Sequence, residues 1–202
     1  MTQTKPESGA RADKPHSRTT QVRRVAIVAS PDKAAAPEAL QRIQKWLTPR
    51  AKVVFAEETY DSAQVLEHEP DVLFVLGGDG TLIAAVNGLG EQQIPILGVN
   101  LGKLGYLADF TVDDLEREGD FLFASELSIT QRIMMEVSLE RNGDARLGAP
   151  AINDCVILAG APFHMIEMRV LVDADEMAHT RGDGVIIATP SGSTAHNLAA
   201  GG

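Results

Sequence analysis

The stretch DVLFVLGGDGTLIAAV (71–86) constrains the fold more than any other part of the chain. Val72 to Leu76 are apolar without a break, so both faces of that strand need cover, as in a parallel sheet carrying helices on each side. Gly77-Gly78-Asp79-Gly80-Thr81 ends the run, and TLIAAVNGL (81–89) reads as a helix. The flanking segments repeat the alternation. VRRVAIVAS (22–30) is a β-branched strand closed by Ser30-Pro31, and Leu40, Ile43 and Leu47 then share one helical face in a segment that stops before Pro49. AKVVF (51–55) reads as a strand, SAQVLEHE (62–69) as a short helix and IPILGVN (94–100) as a further strand. Strands alternating with helices predict an α/β domain built on a parallel, Rossmann-like sheet.

After an acidic helical stretch at 111–124 the hydrophobic period changes from 3.6 to 2. Met135, Val137 and Leu139 alternate with Glu136, Ser138 and Glu140, and Asn142-Gly143 follows, a pair that tolerates positive φ and marks a hairpin. Ile166, Met168, Val170 and Val172 alternate in the same way before a turn at 173–176. The expected organisation is an arm over 1–21, an α/β domain over 22–126 and a β-rich domain over 127–202. Met134, Met135, Met165 and Met168, and the single cysteine Cys155, fall in apolar strand patterns and are expected in the core.

Composition narrows the functions open to such a chain. With 202 residues, 44% hydrophobic content and no unbroken apolar run of membrane-spanning length, it is expected to fold in water without crossing a membrane. One cysteine cannot form an internal disulfide, and the start lacks the apolar segment of a secretory signal; a cytoplasmic location is expected. The net charge is −10, yet residues 1–24 carry Lys5, Arg11, Lys14, Arg18, Arg23 and Arg24 against Glu7 and Asp13. The body is therefore more acidic than the total shows and would repel a phosphodiester backbone, so nucleic acid is not an expected partner. The arm reads as disordered, and its two acids argue against a transit peptide.

Glycines between a strand and a helix let backbone N–H groups close on an anion at the helix N-terminus, and phosphate suits such a loop. A glycine turn that only joins the two elements is the plain alternative. Asp79 weighs against it, because a carboxylate inside a phosphate cradle must serve a cation or a proton. No Lys or Arg lies between Lys52 and Lys103, while Glu57, Glu58, Asp61, Glu67, Glu69, Asp71, Asp79 and Glu91 do. Unless basic groups arrive from elsewhere in the fold, a divalent cation must neutralise the phosphates, and Mg²⁺ carried by the nucleotide is inferred. The scattered His16, His68, His164 and His179 show no zinc-ligand spacing.

The GGDGT loop resembles the signature shared by NAD kinases, diacylglycerol kinases and sphingosine kinases, with a related GGDG in phosphofructokinases. GVNLGKLGYLADF (98–110), AINDCVI (151–157) and RGDGVIIATPSGSTAHNLAAGG (181–202) are similar, in order, to motifs of NAD kinases. The resemblance covers Val22 to Gly202. It implies a two-domain fold whose second domain is a β-sandwich, and transfer of a phosphoryl group from ATP, with Mg²⁺, to the 2′-hydroxyl of the adenosine ribose of NAD. In that reading Asp79 is the catalytic base, and Gly77, Gly78, Gly80 and Thr81 line the phosphates. Tyr106, Asn153, Asp154, Asp183, Ser191, Thr194, Ala195 and His196 match the NAD pocket, with Asn153 at the adenine edge, Asp154 at ribose hydroxyls and Asp183 at the nicotinamide end. The family also implies a homo-oligomer, a dimer or tetramer, whose neighbouring subunit completes part of the site.

Read alone, these residues have simpler accounts. Asn153-Asp154 could be a turn pair, Asp183 between Gly182 and Gly184 a loop, and Ser191 or Ser193 a helix N-cap. The sequence also departs from the family. His196 stands where Tyr is usual, so its charge would make adenine binding depend on pH, and Ala199 stands where Ser is common. The chain stops at Gly202, within a segment after which family members add strands, so the β-rich domain is expected to be incomplete, with open edges and exposed apolar faces. Two alternatives to an active NAD kinase are thus a nucleotide-binding fragment without turnover and, less favoured by the motifs after residue 98, a lipid kinase.

Overall fold

A computed structural model of the chain describes residues 21–59, 61–102, 105–123, 129–148 and 150–202. The arm and the expected domain boundary at 126/127 lie outside the described residues. Strands β1 (Arg24–Ala29), β2 (Lys52–Glu58), β3 (Val72–Gly77), β4 (Ile96–Asn100) and β5 (Phe110–Thr111) form one sheet in the order β2-β1-β3-β4-β5, every pair parallel. Helices α1 (Ala36–Leu47), α2 (Asp79–Leu89) and α3 (Val112–Glu118) cover it. From β1 the chain steps outward to β2, and from β3 it steps the opposite way to β4. Right-handed crossovers then put the two intervening helices on opposite faces.

The core records this division residue by residue. Val25, Ile27 and Ala29 of β1 pack with Ile43, Trp46 and Leu47 of α1 and with Val112 and Leu115 of α3. The alternate residues Ala26 and Val28 pack with Leu82, Ala85, Val86 and Leu89 of α2. Burial on both faces explains the unbroken apolar runs in the sequence. The reversal between β1 and β3 opens a crevice at their carboxyl ends, where ligands bind in sheets of this order. Hydrogen bonds continue the ladders into it: Ser30 N–H donates to the Leu76 carbonyl and Leu101 N–H to the Gly77 carbonyl, both at 2.8 Å.

Two element boundaries differ from expectation with consequences for the site. Helix α2 begins at Asp79 rather than Thr81, because Gly78 takes an extended N-cap conformation and its N–H donates to Thr81 Oγ1 at 3.3 Å. Asp79 therefore sits in the first helical turn. The short helix expected at 62–69 is a 3₁₀ turn, Ala63–His68, ended by Glu69 with φ 45°.

The C-terminal half is β-rich, as expected, and built of antiparallel pairs. β6 (Ser138–Arg141) and β7 (Asp144–Leu147) form the hairpin read from Asn142-Gly143, both with positive φ. β8 (Asp154–Leu158) comes next; β9 (Ile166–Val172) and β10 (Asp175–Gly182) make a second hairpin through Asp173 and Ala174, again both with positive φ. β11 (Gly184–Ala188) returns to pair with β8, and a short helix α4 (His196–Ala199) follows. Among the described residues these pairs gain no third strand, which leaves apolar side chains in water. Leu139, Leu158, Leu171 and Met177 are exposed in this way. Met165, expected in the core, is 69% exposed, and Cys155 is only half-buried. Among the described residues no helix is long and apolar enough to cross a membrane.

Gly98 shows how tightly the β4 side of the sheet is packed. A Cβ there would lie 2.9 Å from both Ala108 Cα and Leu82 Cδ1. Gly98→Ala is expected to destabilise the protein by about 1–3 kcal/mol, the usual cost of overpacking, read as a lower urea midpoint with an unchanged m-value.

Candidate active site

The crevice at the ends of β1 and β3 is a cleft of about 580 Å³. Ser30, Asp32 and Lys33 line one side, from the loop that leaves β1; Gly78, Asp79, Gly80, Thr81 and Ala84 line the other. Thr81 is buried, Gly78 and Asp79 are half-buried, and Gly80 is exposed. Gly77 lies beneath the loop, where an added Cβ would collide with the Thr81 side chain. The glycine-rich turn, the start of α2 and the end of β1 thus meet at one open, polar site. A cation does arrive from elsewhere in the fold: Lys33 lies 46 residues from Asp79 in sequence.

Asp79 is fixed from the far side of the sheet end. Its Oδ2 accepts the backbone N–H of Tyr106 at 2.9 Å and its Oδ1 that of Leu107 at 3.0 Å. The carboxylate rests on Gly105, where any Cβ would run into it. Charge-assisted bonds to two consecutive amides set the plane of the carboxylate, and the partial positive charge at the start of α2 favours an anion there. Tyr106 is thus brought to Asp79 by its backbone, while its side chain is 60% exposed.

A second cluster forms where β8 begins and β11 ends. Asp154 pairs with Ala188, and Thr189 is stitched to the same segment, its N–H donating to the Asn153 carbonyl at 2.8 Å and its Oγ1 to the Ile152 carbonyl at 2.6 Å. Asn153 and Asp154 are therefore not a free turn. Among the described residues Asn153 Oδ1 and Asp154 Oδ2 are buried without a hydrogen-bond partner. Nδ1 of His196, a side chain 79% exposed, stands 3.7 Å from Asp154 Oδ2, beyond hydrogen-bond range. Ser191 and Thr194 belong to the adjoining 3₁₀ turn, which ends at Ala195. The N-cap reading of SGSTA is not what the structure shows, since Ser193 Oγ donates to the Pro190 carbonyl and Ser191 makes no side-chain cap.

Asp183 is not part of this cluster. It sits at the other end of the β8–β11 ribbon, five residues along, or roughly 16 Å at the strand rise. The two clusters are linked through the core: Leu107, whose N–H holds Asp79, shares an apolar cluster with Ile152, the residue before Asn153. Residues the sequence did not single out also appear. Asp32 and Lys33 face the glycine loop, and Arg132 Nη1 donates to Ser191 Oγ at 3.2 Å. The rule that ligands bind where strand order reverses would have found the first two, had the strand order been known.

Residues 33–126 match the model of the ATP-NAD kinase N-terminal domain, and residues 152–202 that of the ATP-NAD kinase C-terminal domain. The NAD kinase of Syntrophobacter fumaroxidans is 36% identical over 189 residues, which are 90% of this chain and 67% of that relative. The chain belongs to the NAD kinase family. Two solved structures share its fold. A yeast NADH kinase complexed with NADH superposes with a TM-score of 0.74 at 23% identity, covering 94% of this chain and 66% of the other. An NAD kinase from Archaeoglobus fulgidus in complex with ATP gives a TM-score of 0.71 at 25% identity, covering 89% and 66%. The chain spans about two thirds of the length of these proteins, and the match of residues 152–202 to the ATP-NAD kinase C-terminal domain separates it from the lipid-kinase alternative.

Gly192 tests the second cluster. A Cβ there would collide with the backbone of Asn153, including its carbonyl oxygen and its Cα at 2.7 Å. Gly192→Ala is expected to push the 189–194 turn away from Asn153 and break the Thr189 bond, read as faster amide exchange at Thr189 with the exchange of β1 and β3 unchanged.

Proposed function

We propose that the protein transfers a phosphoryl group from ATP to the 2′-hydroxyl of the adenosine ribose of NAD, giving NADP. The observation that carries this reading is Asp79, clamped by two amides at the mouth of a glycine-rich cleft. After accepting one N–H each, its two oxygens keep lone pairs for a further donor. A ribose hydroxyl donating there is held for attack. As its oxygen bonds to the γ-phosphorus and the bond to the departing ADP oxygen breaks, Asp79 takes the proton. Gly78, Gly80 and Thr81 line the phosphates, and Gly77, expected beside them, supports the turn from beneath, against the Thr81 side chain. The hard oxygen donors of the cleft, Asp32 and Asp79 with Ser30 and Thr81, fit Mg²⁺ held by the nucleotide. Bound there, the ion would offset the phosphate charge.

The dinucleotide takes the second cluster. Asn153 meets the adenine edge and Asp154 the ribose hydroxyls, and their unpartnered buried acceptors support this assignment. Ser191, Thr194, Ala195 and His196 border the same ligand, with Tyr106 as a wall between the clusters. Asp183, a ribbon length away, takes the nicotinamide end. Phosphate handling thus falls to residues 22–126 and dinucleotide binding to 127–202. The exposed apolar ribbons support a homo-oligomer, a dimer or tetramer, and we place the protein in the cytoplasm. The same exposed ribbons favour a second reading, nucleotide binding without turnover.

NADP formation from NAD with ATP and Mg²⁺ tests the first reading, and NAD binding with no NADP formed would leave the second. Asp79→Asn is expected to lower kcat by about 10²- to 10⁴-fold, the usual worth of a positioned base, while NAD affinity holds. The melting curve serves as the control, since the new amide faces two N–H donors.

A further inference from the structure

We propose that Lys33 is the side chain that binds the donor's phosphate chain, a role resting on the phosphoryl-transfer reading of the same cleft. The glycine loop lies in a sequence window without Lys or Arg, and α2 offers only backbone N–H groups and a helix terminus. Among the described residues lining the cleft, Lys33 is the cationic one; Asp32 and Asp79 are the acids. A tri- or tetraanionic tail entering between two carboxylates gains most from that ammonium, a compact charge with three donors on a long stem. The stem is anchored at its base. Lys33 N–H donates to the Ser30 carbonyl at 3.2 Å, and the Lys33 carbonyl accepts from Ala36 N–H at 2.8 Å, so two successive turns tie the residue to the end of β1 and the start of α1.

Topology explains why the cation comes from this loop. At the β1/β3 reversal the two loops leave the sheet toward opposite helices and enclose a ligand between them, so a group on one loop faces the other. The glycine loop contributes close backbone approach, which a Lys or Arg in place of one of its glycines would block. The complementary charge therefore has to come from across the crevice. Neighbouring residues on the Lys33 loop, Pro31, Ala34 and Ala35, offer none.

Calorimetry with the full chain tests this using two probes, ATP with Mg²⁺ and inorganic tripolyphosphate. Lys33→Ala should weaken both by roughly ten- to a hundredfold, the range for a lost hydrogen bond to a charged group, and leave NAD affinity within twofold. Lys33→Arg should restore most of the loss, and in turnover the effect should appear in the KM for ATP and not in that for NAD. Unchanged binding of both probes to Lys33→Ala would overturn the proposal. So would an equal loss of ATP and NAD affinity, which would mark a damaged fold, or a wild-type chain that binds neither probe. A wild-type chain that binds ATP in a Lys33-dependent way yet forms no NADP would leave Lys33 in place and remove the kinase reading instead.

Discussion

The bonds from the Tyr106 and Leu107 amides to the Asp79 carboxylate hold the rest of the site in place. They tie the start of α2, on one side of the crevice, to the segment that runs from β4 to β5. Leu107 and Ala108 are buried behind those amides, and Ala108 packs so closely on Gly98 that the segment has little room to retreat. Leu107 in turn shares its apolar cluster with Ile152. One carboxylate therefore connects the glycine loop with the strand that begins at Asp154. Two hydrogen bonds donated by amides and a favourable helix terminus explain why a carboxylate is accommodated here without a cation on its own loop.

In an acidic body, a cleft suited to an anion needs its few favourable groups concentrated in one place. The sheet order does this. Because β1 and β3 are neighbours whose following helices lie on opposite faces, the loop from Ser30 to Lys33 and the loop from Gly78 to Thr81 face each other without a helix between them. Gly77 and Gly105 keep this region tight, since Thr81 and Asp79 occupy the volumes their side chains would need. The same close approach that lets a phosphate reach backbone N–H groups also brings Asp79 within reach of its clamp.

Local pattern made much of the fold legible. Strands β1 and β3 are readable because burial on both faces leaves an apolar run, the first hairpin because Asn142-Gly143 tolerates the positive φ of its turn, and the second because alternation stops at the polar turn 173–176. Strand order was not readable, since it depends on pairings between residues such as Val25 and Val72 far apart in the chain. Lys33 was therefore missed although its neighbour across the cleft, Asp79, was the first residue to stand out. Alternation at Ile166–Val172 correctly told which residues share a face. It could not tell whether anything covers that face, and so Met165 and Cys155 were expected in a core that the ribbons do not form. The start of α2 shifted for a similar reason: Thr81 was read as the first helical residue, but its hydroxyl caps the turn before it.

The two halves of the site differ in what they ask of a ligand. The cleft offers backbone N–H groups, hydroxyls and one ammonium beside its carboxylates, and rewards an anion that brings its own counterion. At the second cluster the unsatisfied atoms are acceptors, Asn153 Oδ1 and Asp154 Oδ2, the latter on a side chain only 12% exposed. Leaving such an acceptor unpaired costs on the order of 1–3 kcal/mol, a penalty removed by a group that donates. Amino and hydroxyl groups meet that requirement and phosphates do not. A ligand with an adenine and a ribose at one position and a phosphate chain at the other is thus sorted by polarity alone. In the proposed reading, a phosphate newly attached to that ribose would bring an anion close to Asp154, and an arrangement suited to free hydroxyls would then work against retaining the phosphorylated form.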